Sequence, residues 1–121
     1  MEKSEQLDAV KKKLGIGANK RHVFLCVGPK CCTTEVGEQS WELLKQKLKD
    51  AGLQSGDNIC QRSRAGCLRV CCHGPTLVVY PEGTWYHDMT ADKIERFVQE
   101  HLVDGKPIEE WVFARNALPG T

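Results

Sequence analysis

The distribution of apolar and polar residues along the 121-residue chain predicts an alternation of helices and strands. Near the start, Leu7, Val10 and Leu14 recur at helical spacing within a polar stretch that ends at two glycines. This pattern predicts a short helix or a frayed segment before residue 21. The continuous apolar run of residues 22–27 then predicts a buried strand, which a Gly-Pro pair ends.

The middle of the chain combines one long helix with a second, weaker strand. Trp41, Leu44 and Leu48 recur with the spacing of an amphipathic helix over residues 38–51, and this spacing favours Trp41 as a core residue. Residues 58–63 predict a weak strand. The order strand–helix–strand indicates a parallel pair of strands joined by a right-handed crossover.

The last third of the chain predicts a β-hairpin followed by a helix. Residues 76–87 hold two strands around a turn with Pro early and Gly late, and residues 91–102 form an amphipathic helix capped by Thr90. Residues 108–113 are expected to form a short strand or to dock on the domain. The complete order predicts an α/β, thioredoxin-like fold, with a mixed sheet of about four strands and helices packed on it.

Length and charge narrow the classes of function. A chain of 121 residues favours one domain, here residues 21–121, preceded by an N-terminal helical or frayed segment, residues 1–20. The formal net charge of +1 gives no reason to expect a nucleic acid or an anionic membrane as partner. We find no stretch long enough for membrane insertion and no secretory signal, so a cytoplasmic location is expected.

The seven cysteines are the most informative feature of the sequence. Six of them form two groups, which we call the first knot (Cys26, Cys31 and Cys32) and the second knot (Cys67, Cys71 and Cys72). The odd number, the adjacent pairs and the missing signal disfavour a disulfide framework. The seventh, Cys60, stands alone in an apolar–polar run and is expected to pack in the core.

Both knots are expected in loops next to strands, where a rigid sheet can position thiolates for a metal. Cys26 and Cys31 have the spacing C-x4-C, and Cys67 and Cys71 have the spacing C-x3-C. Four thiolates at one centre suit an iron–sulfur cluster or a structural zinc ion, and the spacing alone leaves both open.

Three functions remain open from the residues themselves. These are a one-electron carrier (with an iron–sulfur sensor or storage protein as a variant on the same cluster), a zinc-binding structural or interaction module, and a thiol oxidoreductase. A thiol oxidoreductase usually has a C-x-x-C motif at the start of a helix, which lowers a thiol pKa for thiol–disulfide exchange, and we find no such motif in this sequence. We find no Ser/His/Asp grouping, paired acid/base carboxylates or phosphate-binding Gly loop, so an enzyme is not expected.

Three segments of the chain resemble a known family. Residues 22–26 resemble the opening of the thioredoxin-like 2Fe–2S ferredoxins. Residues 66–86, GCLRVCCHGPTLVVYPEGTWY, look very like the second cluster loop and hairpin of that family, and residues 100–108 are similar as well. The family includes a soluble ferredoxin and the small 2Fe–2S subunit of respiratory NADH dehydrogenases and NAD-linked hydrogenases.

The resemblance implies one 2Fe–2S cluster as cofactor, one-electron transfer as function and redox proteins as partners. Cys26, Cys67 and Cys71 match the first, third and fourth ligands of the family. The short spacing after Cys26 looks like the respiratory-subunit pattern, which implies Cys31 as the second ligand, with Cys32 as the alternative.

The surroundings of the knots and the hairpin carry further expectations. Three glycines should let the backbone approach the sulfurs, and three cations should compensate a negative cluster; these are Gly28, Gly66, Gly74, Lys30, Arg64 and Arg69. His73 is expected to form a hydrogen bond or face a partner rather than bind metal. Since members of the family dimerise or dock into larger assemblies, the hairpin of residues 77–87 is expected to form a homodimer or partner surface, with Trp85 and Tyr86 on opposite faces.

Overall fold

The computed structural model describes residues 2–118. The start of the predicted N-terminal segment (residue 1) and the end of the predicted domain (residues 119–121) therefore lie outside the described residues. The strands are β1 (Arg21–Cys26), β2 (Cys60–Ala65), β3 (Leu77–Tyr80), β4 (Thr84–Tyr86) and β5 (Val112–Arg115). The helices are α1 (Lys3–Leu14), α2 (Thr34–Asp50) and α3 (Ala91–Phe97). A π-helical segment, Val98–Val103, continues α3, and a 3₁₀ turn, Glu109–Trp111, precedes β5.

The five strands form one mixed sheet in the order β2-β1-β3-β4-β5. β1 and β2 are parallel, whereas β3, β4 and β5 follow as antiparallel neighbours. The predicted crossover pair and hairpin are therefore confirmed, and the sheet has one strand more than expected. That strand, β5, comes from the segment whose conformation the sequence left open.

Helices α2 and α3 pack against each other and against one face of the sheet. In β1, Val23 and Leu25 are fully buried in this core, whereas His22 and Phe24 are only half-buried on the opposite face. β1 is therefore buried on one face, because the helices that cover the sheet lie on that side. Cys60 belongs to the same core, as predicted.

The boundaries of two helices differ from the predicted ones. α2 begins at Thr34 rather than at residue 38, because the Thr33 hydroxyl accepts a hydrogen bond from the Val36 N–H (3.2 Å) and caps the helix. The predicted helix of residues 91–102 is α-helical only as far as Phe97. Thr90 occupies its N-cap position, although its hydroxyl bonds the Asp92 carboxylate rather than a backbone N–H.

The N-terminal helix α1 has no buried residue. Leu7 and Val10 are 59% and 48% exposed, and a hydrogen bond from the Gln61 side chain to the Leu14 carbonyl joins the end of the helix to β2. Among residues 2–118, no helix has the length and apolar character needed to cross a membrane.

A chain of hydrogen bonds runs from the core to the edge of the domain. The Ile108 N–H donates to Tyr86 Oη (3.1 Å), and the Tyr86 hydroxyl donates to His101 Nδ1 (2.6 Å). His101 Nε2 donates to Glu82 Oε2 (2.8 Å), which also accepts from Arg21 Nε (2.9 Å). Both Tyr86 and His101 are fully buried, so each of these groups depends on its neighbour for a partner.

This burial shifts the pKa values of the His101 imidazole and the Tyr86 hydroxyl. Burial lowers the pKa of His101 below its ordinary 6.5, although Glu82 acts in the opposite direction. Burial raises the pKa of Tyr86 to about 12. The folded protein therefore holds a neutral imidazole and a neutral phenol at pH 7.

Candidate metal centre

Two loops meet at one edge of the sheet. β1 and β2 are parallel and in register, with Cys26 opposite Ala65, so the chain leaves both strands at the same edge. The loop after β1 carries Cys31 and Cys32, and the loop after β2 carries the second knot. The second loop returns at Thr76, whose carbonyl accepts a hydrogen bond from the Cys26 N–H (2.9 Å).

The first knot is the inner part of the site. Cys26 and Cys31 are 1% and 7% exposed, and their sulfurs lie 2.7 Å apart. The sulfur of the half-buried Cys32 lies 3.8 Å from that of Cys31. The Gly74 N–H donates to the Cys31 carbonyl (2.8 Å) and thereby joins the two loops.

The second knot is the outer part of the site, and its three cysteines are exposed. The Arg69 N–H donates to the Cys67 sulfur (3.2 Å) from a residue with a left-handed backbone (φ 72°). The Cys71 thiol donates to the Arg69 carbonyl (3.8 Å), and the neighbouring Cys67 and Cys26 both raise the pKa of Cys71. The fold therefore brings together Cys26, Cys31, Cys67 and Cys71 as two thiol pairs.

The two thiols of the first pair titrate differently. Burial raises the pKa of Cys26, but the hydrogen bond with Cys31 and those with Gly28 and Leu68 outweigh it, so the pKa is lowered overall. Burial, followed by the hydrogen bonds with Cys26 and Cys32, raises the pKa of Cys31 to about 12. In the metal-free protein Cys26 is thus the better thiolate, and a metal that binds both must displace the proton of Cys31.

Two of the three expected glycines are closely packed against backbone, Gly28 within the loop after β1 and Gly74 between the two loops. A Cβ on Gly28 would lie 2.5 Å from the Cys32 carbonyl oxygen, and a Cβ on Gly74 would lie 2.7 Å from Cys31 Cβ and from its carbonyl oxygen. A Cβ on Gly66 would meet nothing within 4 Å, so a close approach of the backbone to a sulfur at Gly66 stays a prediction.

The three candidate cations are placed differently. Burial and the neighbouring Cys67 raise the pKa of Cys71 overall, and the charge of Lys30 acts in the opposite direction. Arg64 is instead paired with Glu38 and lies over the Trp41 ring, 5.9 Å from its centroid. The Arg69 side chain is exposed, and the residue contacts the site through its backbone N–H, which donates to the Cys67 sulfur.

Two residues of the site were not singled out from the sequence. Gly37, in the first turn of α2, would place a Cβ 2.4 Å from the Val27 carbonyl oxygen, so only glycine lets α2 lie against the loop of the first knot. Thr76 is fully buried next to Cys26. A small residue at the start of a helix and a threonine at the start of a strand are too common in sequences to mark either position.

Among residues 2–118, no group of three Cys, His, Asp or Glu side chains is arranged to hold a single metal ion. Cys60 lies in the core, where burial raises its pKa to about 11. His73 is exposed, and its carbonyl accepts from the Asp88 N–H (2.7 Å). The chemistry at the edge of the sheet is therefore that of two thiol pairs, with backbone N–H groups at Cys26, Cys31 and Cys67.

Comparison with known proteins identifies the family of the chain. Over 95 residues the chain is 30% identical to a putative 2Fe-2S ferredoxin of Priestia megaterium, covering 78% of this chain and 71% of that protein. The chain belongs to the thioredoxin-like 2Fe–2S ferredoxin family. A 2Fe-2S ferredoxin of Clostridium pasteurianum is 29% identical over 94 residues, which are 74% of this chain and 92% of that protein.

The fold agrees with the family. The crystal structure of the thioredoxin-like 2Fe–2S ferredoxin from Aquifex aeolicus matches with a TM-score of 0.69 and 28% identity, over 80% of this chain and 99% of the other. No family model matches the chain. Family membership implies a 2Fe–2S cluster and electron transfer, rather than a single zinc ion, and hence redox partners.

The residues at the site fit such a cluster. A negative cluster on four thiolates needs hydrogen-bond donors at its sulfurs, and the backbone provides them at Cys26, Cys31 and Cys67. The buried Thr76 hydroxyl beside Cys26 completes no hydrogen bond within residues 2–118, so one more donor is present there.

Proposed function

We propose that this chain transfers one electron at a time between redox partner proteins, on one 2Fe–2S cluster held by Cys26, Cys31, Cys67 and Cys71. The observation that carries the proposal is the meeting of two thiol pairs at one edge of the sheet in a member of this family. When bound, the cluster supplies reversible uptake of a single electron.

The two pairs have different tasks in this proposal. The buried pair, Cys26 and Cys31, fixes the inner side of the site against the end of β1. The exposed pair, Cys67 and Cys71, leaves the outer side at the protein surface, where a partner can approach closely. Exposure of this side suits a carrier that must exchange electrons with other proteins.

Contacts of the first knot support Cys31 rather than Cys32 as the second ligand. The Cys31 sulfur contacts that of Cys26 and receives the Thr76 N–H, whereas Cys32 receives the Gly37 N–H at the start of α2. Cys31 therefore lies against Cys26 and Thr76, whereas Cys32 lies against the start of α2. We assign no ligand role to Cys72.

Metal analysis of protein purified without oxygen tests the cofactor. We expect about two iron and two acid-labile sulfide ions per chain, and a red-brown colour. One zinc ion and no sulfide would contradict the proposal and favour the zinc-binding module. Reversible one-electron reduction with a reproducible midpoint potential is expected of a carrier, whereas loss of the cluster on each reduction would favour the sensor or storage role.

Neighbouring cysteines give matched controls for the ligands. Cys71→Ser and Cys31→Ser should each lose or severely perturb the cluster, because a serine oxygen is a poorer ligand for iron than a thiolate. Cys72→Ser and Cys32→Ser change the adjacent residue in each loop and should retain a normal electron paramagnetic resonance signal after reduction. A normal signal in Cys31→Ser together with a lost signal in Cys32→Ser would reverse the assignment of the second ligand.

We further propose that the outer face of the hairpin is a surface for self-association. Trp85 and Phe113 are in edge contact (6.2 Å between ring centroids), and Phe113 is 46% exposed. Tyr86 packs instead under α3 against Phe97, so the two neighbours lie on opposite faces as expected, and Tyr86 is no part of this surface.

All seven thiols are free, which supports a proposed location in the reducing cytoplasm.

A further inference from the structure

Thr76 touches both cysteines of the buried pair. It lies just before β3, is fully buried, and accepts the Cys26 N–H at its own carbonyl (2.9 Å). Its backbone N–H is directed to the sulfur of Cys31. The backbone of this one residue therefore fixes the relative position of Cys26 and Cys31.

Unlike its backbone, the side chain of Thr76 lacks a hydrogen-bond partner among residues 2–118. Its hydroxyl oxygen is buried and completes no hydrogen bond with any group of residues 2–118. The hydroxyl lies beside the Cys26 sulfur. A buried hydroxyl without a partner destabilises a folded protein, so this one needs an acceptor that becomes available at the sulfur.

We propose that the Thr76 hydroxyl donates a hydrogen bond to the Cys26 sulfur in the cluster-loaded protein and raises the reduction potential of the cluster. This inference rests on the proposed function. Reduction adds negative charge at the sulfurs, and a donor directed at one of them stabilises the reduced state more than the oxidised state. Thr76 is thus a positioning residue that acts through Cys26.

Three variants separate the hydroxyl from the shape of the side chain. Thr76→Val keeps the volume and removes the donor, and Thr76→Ser keeps the donor and removes a methyl group. Thr84→Val makes the same exchange at a threonine that is also buried but pairs with Val79, near the opposite end of β3. Each is purified as the full chain without oxygen, and its midpoint potential is measured by an optical redox titration.

We expect Thr76→Val to lower the equilibrium constant for reduction of the cluster about tenfold, which for one electron is a fall of about 59 mV in the midpoint potential. Thr76→Ser should stay within about twofold of the wild type, and Thr84→Val should match it. The iron–sulfur stretching frequencies in resonance Raman spectra should shift in Thr76→Val and be restored in Thr76→Ser. A merely structural role for Thr76 would alter the melting temperature and leave the potential and these frequencies unchanged.

The remaining outcomes also decide the matter. Equal potentials in the wild type and Thr76→Val, both loaded, would overturn the role of Thr76 and leave the proposed function intact. A shift in Thr76→Ser as large as that in Thr76→Val would overturn it as well. Failure of Thr76→Val alone to retain a cluster, with a native circular dichroism spectrum and normal loading of Thr76→Ser, would support the hydroxyl as a holder of Cys26. A wild type without iron and sulfide would reject both proposals.

Discussion

Replacing Tyr86 by Phe removes one oxygen atom from the middle of a buried hydrogen-bond chain. That oxygen accepts from the Ile108 N–H (3.1 Å) and donates to His101 Nδ1 (2.6 Å). Tyr86 and His101 are fully buried and Ile108 is 3% exposed, so water cannot replace the lost partner without opening the core. The change therefore leaves two buried polar groups unpaired while the ring contact with Phe97 stays in place.

The expected loss follows from these two groups. Each unpaired buried donor or acceptor costs about 1–3 kcal/mol, and their sum after partial relaxation is about 2–4 kcal/mol of the free energy of unfolding. For a domain of this size, each kcal/mol lowers the melting temperature by about 4 °C, so a fall of about 8–16 °C is expected. Double-mutant analysis with His101→Leu should show strong coupling, because removing both partners of one hydrogen bond costs less than the sum of the single changes.

Thermal unfolding followed by far-ultraviolet circular dichroism measures the effect, on samples with equal cluster content. Tyr80→Phe is the matched control, because the Tyr80 ring is half-buried and its hydroxyl makes no hydrogen bond with other groups of residues 2–118. The control should stay within about 0.5 kcal/mol of the wild type. If Tyr86→Phe melts at the same temperature as Tyr80→Phe, the buried network does not contribute to stability and the reasoning is refuted.

Three further predictions concern pH, packing and association. The free energy of unfolding should be constant only from about pH 7 to pH 8. It should fall below about pH 6.5, because the unfolded chain binds a proton that buried His101 resists. It should also fall above about pH 8.5, because Cys60, with its pKa of about 11, and then Tyr86, with its pKa of about 12, ionise in the unfolded chain before they ionise in the folded protein. A denaturation midpoint that is constant from about pH 5 to pH 11 would contradict this. Gly37→Ala should lower the free energy of unfolding, measured by denaturant titration, by about 1–3 kcal/mol, because its Cβ would lie 2.4 Å from a carbonyl oxygen; alanine at an unobstructed helix position would instead stabilise the protein. Gly66→Ala, where a Cβ meets nothing within 4 Å, is the control, and equal stability of the two variants would reject the close contact. Phe113→Lys should lower the mass measured by light scattering from that of a dimer to that of a monomer, and a wild type that is monomeric at high concentration would reject self-association through this face.

Local patterns in the sequence determined the order of elements and the location of the chemistry. The strand that ends at Cys26, the hairpin and the helix of Trp41 each follow from the periodicity of apolar residues and from turn residues next to them. The clustering of cysteines marked the site, because such clustering has few uses other than metal binding in a chain of this kind. Even the position of Cys60 in the core followed from its isolation in the sequence.

Tertiary structure decided which thiols meet and what surrounds them. Cys31 and Cys32 are chemically identical neighbours, and only the path of the loop after β1 brings the Cys31 sulfur to Cys26. The fit of Gly37 against the Val27 carbonyl depends on how α2 folds back on the loop before it, and the Thr76 hydroxyl is buried beside a strand that lies far earlier in the chain. Sequence patterns report the preferences of neighbouring residues, whereas contacts of this kind depend on distances between distant residues, which only the packed fold fixes.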